Sequence, residues 1–201
     1  MKMTRRGFLN ISTAAAVVCA ATLLPVEKAA AAQQTMAAQE LLEQAYLYAF
    51  PLVLMDATRK VSTNTETPND TRAPINQFIH AKKLADAASR AVVTPNVDTI
   101  YTQAFLDVSA EPMLYGVPQT DRFFNVQVLD AWTNTVAVLE APGLYAITRS
   151  DWQGKLPEGV QRINVPTNMV WTIARIVLSG QEELPNVRAI QDKMQLMPLS
   201  A

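Results

Sequence analysis

Cysteine and histidine each occur once in the 201 residues, as Cys19 and His80, and glycine only six times. Cys19 lies in an N-terminal apolar stretch with the marks of a cleaved signal. Beyond that stretch no cysteine remains, which excludes disulfides, thiolate metal sites and a cysteine nucleophile. A single histidine excludes a clustered-histidine metal site within one chain. A carboxylate-only calcium site is left open, but the regular Asp/Asn spacing of an EF-hand loop is missing. The few glycines form no phosphate-cradling loop, and no G-x-S-x-G nucleophile elbow is present. No metal and no cofactor are expected.

Long apolar runs are scarce as well. The longest candidate, Ile11 to Leu24, is about 14 residues, whereas spanning a bilayer takes roughly 20. It follows Lys2 and the pair Arg5-Arg6, and precedes Pro25 and the small-residue run Ala29 to Ala32. A positive start, an apolar middle and small residues at the end form a secretory signal. The arginine pair just before Phe8-Leu9 points to the twin-arginine route. The expectation is a signal over residues 1–32, a polar leader over 33–39 and one domain over 40–201. The product would be periplasmic or secreted, with no stable membrane anchor.

Charge of one sign is not concentrated anywhere. The 17 basic residues less Lys2, Arg5, Arg6 and Lys28, set against the 18 acidic residues less Glu27, leave a net charge of −4. A mildly acidic chain without a basic cluster is poorly suited to nucleic acid.

What is present reads as mainly β with flanking helices, an α+β antiparallel sandwich. Apolar residues recur with helical spacing from Glu40, with Pro51 expected to kink or split the helix. A second short helix is expected from Ile75 to Ala88. Strand patterns then follow in close succession. Phe124, Val126 and Val128 alternate with Asn125 and Gln127. Thr135 to Leu139 and Leu144 to Thr148 read as a pair across a hairpin-like turn. Val160 to Val165 and Met169 to Leu178 come next. A C-terminal helix is expected with Pro185 in its first turn and Pro198 as its stop.

Three polar constellations carry the available chemistry. Asn96 and Asp98, before a long strand, suit either a tight turn or a ligand-facing loop. Asp130 and Trp132 pair a carboxylate with an indole at a strand end. That pair suits a partly polar ligand such as a sugar, or equally a capping Asp beside a packed Trp. Arg175 shares a strand face with Trp171, Ile173 and Val177. If that face is the core, Asp98 or Asp130 is its natural partner; the other reading is a solvated guanidinium. His80, with Asn76 one helical turn before it, is a candidate general base. Tyr101 offers a hydroxyl. The candidate catalytic set is thus His80, Asp98 and Asp130, and the candidate ligand set Asn76, Asn96, Tyr101, Trp132 and Arg175.

These residues also carry a resemblance. Tyr46-x-Tyr48-x-x-Pro51-Leu52-Val53-Leu54-Met55-Asp56, Pro74-x-Asn76-x-Phe78-x-His80, Pro95-Asn96-x-Asp98-Thr99-x-Tyr101, Leu129-Asp130-x-Trp132-Thr133 and Val170-Trp171-x-x-x-Arg175 resemble, in order, the bacterial domain-of-unknown-function family 1254. The resemblance implies a secreted protein whose domain is an immunoglobulin-like β-sandwich with added helices. It also implies a following jelly-roll domain of unknown-function family 1214. The stretch between Trp132 and Trp152 is shorter than the family's pattern. Because the sequence stops at Ala201, the expectation is a jelly-roll partner on a separate chain, or a truncated gene product. Three functions fit: a periplasmic module binding a small molecule or saccharide, a half-site of a hydrolase or lyase acting on envelope polysaccharide, and an interaction module for the separate jelly-roll domain.

Overall fold

The computed structural model describes residues 37–89 and 94–201; the expected signal and most of the leader lie outside them. The chain divides into two compact units at the Phe50/Pro51 boundary. In the first, residues 37–50 are helical, and Tyr46 and Phe50 bring their rings to 5.7 Å one turn apart. In the second, residues 51–62 are helical, so Pro51 is itself within helix rather than ending it. Asp56 holds Arg59 and Lys60 at 2.6 and 2.7 Å along that helix face. No helix among the described residues is long and apolar enough to cross a membrane.

The rest of the second unit is mainly β. Among the described residues one sheet runs β1 (Ile79–His80), β2 (Thr99–Asp107), β8 (Met169–Val177), β4 (Phe124–Leu129), β5 (Thr135–Leu139). The other runs β7 (Gln161–Val165), β6 (Gly143–Arg149), β3 (Met113–Val117), β9 (Gln195–Pro198). Alternation decides which side chains meet between them. Ala104 and Leu106 of β2, Val126 and Val128 of β4, and Val170, Ala174 and Ile176 of β8 turn inward. They share one core with Met113, Tyr115, Tyr145 and Ile147 from the second sheet. Burying each of the larger apolar chains contributes about 1.5–3 kcal/mol.

Four expectations are corrected. The sheets are not wholly antiparallel, since β6 and β7 pair in parallel. The turn after β5 is not a hairpin: β5 pairs with β4 and β6 with β3, so the chain crosses between sheets there. Tyr145 ties this crossing down by donating its hydroxyl to the Ala141 carbonyl at 2.7 Å. No helix forms at 75–88. Asn76 takes a positive φ of 62°, donates its N–H to the Phe105 carbonyl, and accepts the Asp107 N–H on its side chain, both at 2.8 Å. β1 then pairs with β2, and this tertiary pairing outweighs the local helical spacing. Finally, the C-terminal helix (Leu184–Gln191) has Pro185 in its first turn as expected but ends well before Pro198, which belongs to edge strand β9.

That helix is pinned at its start by an ion pair. Arg122 meets Glu183 with both guanidinium nitrogens, at 2.9 and 3.0 Å, and the Ser179 N–H donates to the same carboxylate. Chiefly the Arg122 hydrogen bonds hold the Glu183 carboxyl at about 2. A depressed carboxyl lends stability that is complete above its unfolded value and lost as pH falls toward the folded one. Between pH 5 and 2 the melting temperature of the wild type is expected to fall more steeply than that of Glu183→Gln; parallel melting profiles would remove this pair from the stability account.

Candidate functional site

The outward face of the first sheet is where chemistry gathers. The β2/β8 register sets Tyr101 opposite Arg175, Gln103 opposite Ile173, and Phe105 opposite Trp171. These are the odd positions, so all six turn away from the core. The Trp171 ring lies 5.4 Å from Phe105 with an interplanar angle of 5°, and its indole N–H donates to the Gln103 side-chain carbonyl at 3.2 Å. The Arg175 guanidinium sits 5.7 Å from the Tyr101 ring centre, a cation–π arrangement. One of its nitrogens donates to Gln127 at 3.1 Å, and Gln127 in turn donates to Thr135 at 2.7 Å.

The stretch after β1 and this face together line a partly open cavity of about 430 Å³. Tyr101, Trp171 and Ile173 line one side; Ala81, Leu84 and Pro95 line the other. Among the described residues the charged lining groups are Lys82, Lys83 and Arg175 against Asp70. Among the described residues none of these three cations forms an ion pair.

The C-terminal helix fixes the wall opposite the sheet where it leaves β1. Gln191 is buried, and its side-chain amide donates to the Thr102 hydroxyl at 2.9 Å, the Tyr101 carbonyl at 3.2 Å and the Ala81 carbonyl at 3.4 Å. Arg188 donates to the Lys82 carbonyl. Residues 81 and 82 are thereby held by a helix that is itself anchored in the core through Val187.

Of the eight sequence candidates, Tyr101 and Arg175 line the cavity, while Asn76, His80, Asn96, Asp98, Asp130 and Trp132 are not among its lining residues. The face carrying Arg175 is not the core, so its expected pairing with Asp98 or Asp130 gives way to Gln127 and the Tyr101 ring. Asn76 shapes the turn before β1, as described. Asn96 accepts the Asp98 N–H at 3.1 Å, an Asx turn, and Asp98 is exposed at the start of β2.

Asp130 is buried in the β4–β5 turn. It accepts the Trp132 and Asn134 main-chain N–H groups, each at 2.9 Å, and the Asn134 side-chain amide at 3.0 Å. Trp132 is half-buried in that turn. His80 Nδ1 lies 2.9 Å from the Thr102 hydroxyl. The same hydroxyl meets the Gln191 side-chain amide. Burial lowers the pKa of His80, with Asp192 acting in the opposite direction. Among the described residues no group of three His, Cys, Asp or Glu could hold a metal.

Residues 75–198 match the family described as Protein of unknown function (DUF1254). The chain belongs to this family. The fold of this DUF1254 chain is similar to the crystal structure of the VPA0106 protein from Vibrio parahaemolyticus, with a TM-score of 0.65 and 24% identity. The likeness covers 80% of this chain and 38% of that one, so the chain spans well under half of its length. No curated protein matches the sequence.

Trp171, Gln103, Lys82 and Lys83 were missed as site residues. The shared face of Trp171, Ile173 and Arg175 was visible in the alternation of β8. What hid the site was the expected helix at 75–88, which concealed the stretch that covers this face.

Asp130→Ala leaves buried turn donors without an acceptor and is expected to destabilise the protein by about 1–3 kcal/mol. Asp130→Asn, which keeps one acceptor oxygen, is expected to recover part of that loss. Denaturant titration of the three proteins checks both, and an unchanged Asp130→Ala midpoint would show the turn does not depend on the carboxylate.

Proposed function

We propose that this DUF1254 chain is an exported small-molecule-binding domain whose ligand occupies the cavity between the β2/β8 face and the stretch after β1. The observation that carries the reading is an aromatic and aliphatic cavity of about 430 Å³ with an oriented guanidinium in its wall. Volume, apolar lining and a few fixed polar groups are the usual marks of a small-ligand site. The hydrolase or lyase reading has less support. Asp130 is occupied by its turn, and His80 is hydrogen-bonded to Thr102 of β2. Trp171→Ala and Ile173→Asp are expected to abolish ligand-induced rises in melting temperature across a metabolite panel, while Trp132→Ala leaves them intact. Equal losses in all three, or none, would count against this cavity.

A second reading has its own observation. Leu41, Leu42 and Leu47 are 67%, 71% and 70% exposed on the helical stretch of the first unit, a surface that suits a partner such as a separately encoded jelly-roll domain. Its check is size-exclusion chromatography of the two chains mixed, where Leu42→Asp with Leu47→Asp should abolish co-elution.

Export rests on the Arg5-Arg6 signal pattern. Replacing both arginines with lysine is expected to leave the precursor in the cytoplasm. Unchanged periplasmic recovery in cell fractions would exclude the twin-arginine route.

A further inference from the structure

The charge and shape of the cavity narrow its ligand further. We infer that it takes a small aromatic carboxylate, its ring against the β2/β8 face and its carboxylate on Arg175; this rests on the cavity being the binding site.

Three observations converge. The first is sign. The chain as a whole carries a formal charge of −1, yet the cavity is lined by three cations and one carboxylate. A cationic ligand meets repulsion there, whereas an anion is drawn in. The second is the state of Arg175. Its two contacts, Gln127 and the Tyr101 ring, are both uncharged. They orient the guanidinium without neutralising it. A guanidinium has five N–H donors in a planar fork, and the Gln127 bond engages one nitrogen. A carboxylate can be met by two parallel N–H groups of such a fork. The third is the lining around it. The Trp171 N–H donates to the Gln103 carbonyl, which leaves the indole ring itself as aromatic surface. Ile173, Leu84 and Pro95 extend the apolar surface. A sugar's hydroxyls find no partner on these apolar side chains, whereas a flat ring can stack on them. The cavity of about 430 Å³ has room for one substituted ring with a short acid arm.

The test uses the full chain and isothermal titration with benzoate, phenylacetate and 3-phenylpropionate, beside the matching amides and phenethylamine. At least one acid is expected to bind ten or more times more tightly than its amide, with no measurable binding of the amine. Arg175→Gln should erase the preference of acid over amide while leaving amide affinity in place, and Arg175→Lys should restore only part of it. Lys82→Gln with Lys83→Gln, both at exposed positions, should weaken the acids several-fold. Amides binding in this cavity as tightly as acids would overturn the acid assignment but leave the small-molecule reading standing. An acid preference that survives Arg175→Gln would overturn it too. If no acid, amide or amine perturbs the Trp171 indole resonance, the cavity reading itself fails.

Discussion

The antiparallel pairing of β2 with β8 is the constraint on which the rest depends. Nine residues on each strand are matched without a slip, from Thr99 opposite Val177 to Asp107 opposite Met169. With a side-chain period of two, a one-residue slip would exchange the two faces. Inward, this register delivers Ala104, Leu106, Val170 and Ala174 to the core. Outward, it delivers Tyr101, Gln103, Trp171 and Arg175 to the cavity. One set of backbone hydrogen bonds thus fixes both stability and the candidate site. A substitution inside β2 or β8 cannot be assigned to one of them without a separate measurement of the other.

The far wall of the cavity depends on a different device. The stretch after β1 has little regular structure, and a surface loop of that kind is free to vary its position unless something fixes it. Here a main-chain bond from the Ala81 N–H to the Tyr101 carbonyl joins it to the sheet, and Gln191 and Arg188 hold its carbonyls from the C-terminal helix. The same Gln191 amide meets Thr102, whose hydroxyl meets His80. The single histidine of the chain therefore belongs to the joint between sheet and helix. A neutral ring suits that place, because burial disfavours the charged form.

Much of the fold was legible because strand alternation is a local signal. The inward set of β4, Phe124, Val126 and Val128, could be read directly, and so could the shared face of Trp171, Ile173 and Arg175 on β8. Partners were not legible in the same way. The Glu140 to Gly143 turn has hairpin residues, yet the chain uses it to change sheets, because the open edge beside β4 and the free side of β3 lie in different layers. Residues 75–88 have helical spacing, but Asn76 binds β2 at two points before a helix can start. A window of local sequence contains neither of those partners.

The same distinction separates the candidate residues that reach the cavity from those that do not. Asn96 and Asp130 have short polar side chains that accept main-chain N–H groups within a few residues, and Asn76 accepts one from β2 across the fold. Such groups bind the backbone first, and their pull toward a ligand is spent in shaping turns. Arg175 and Tyr101 have long side chains that project from strand positions whose main-chain groups are already paired in the sheet. They have no nearby main-chain group to satisfy, so their polar atoms are turned toward other side chains and the open cavity. For a chain with few glycines, one histidine and no free thiol beyond residue 19, recognition is left to side chains of this second kind. In this fold they are found on the face of the sheet rather than at the strand ends.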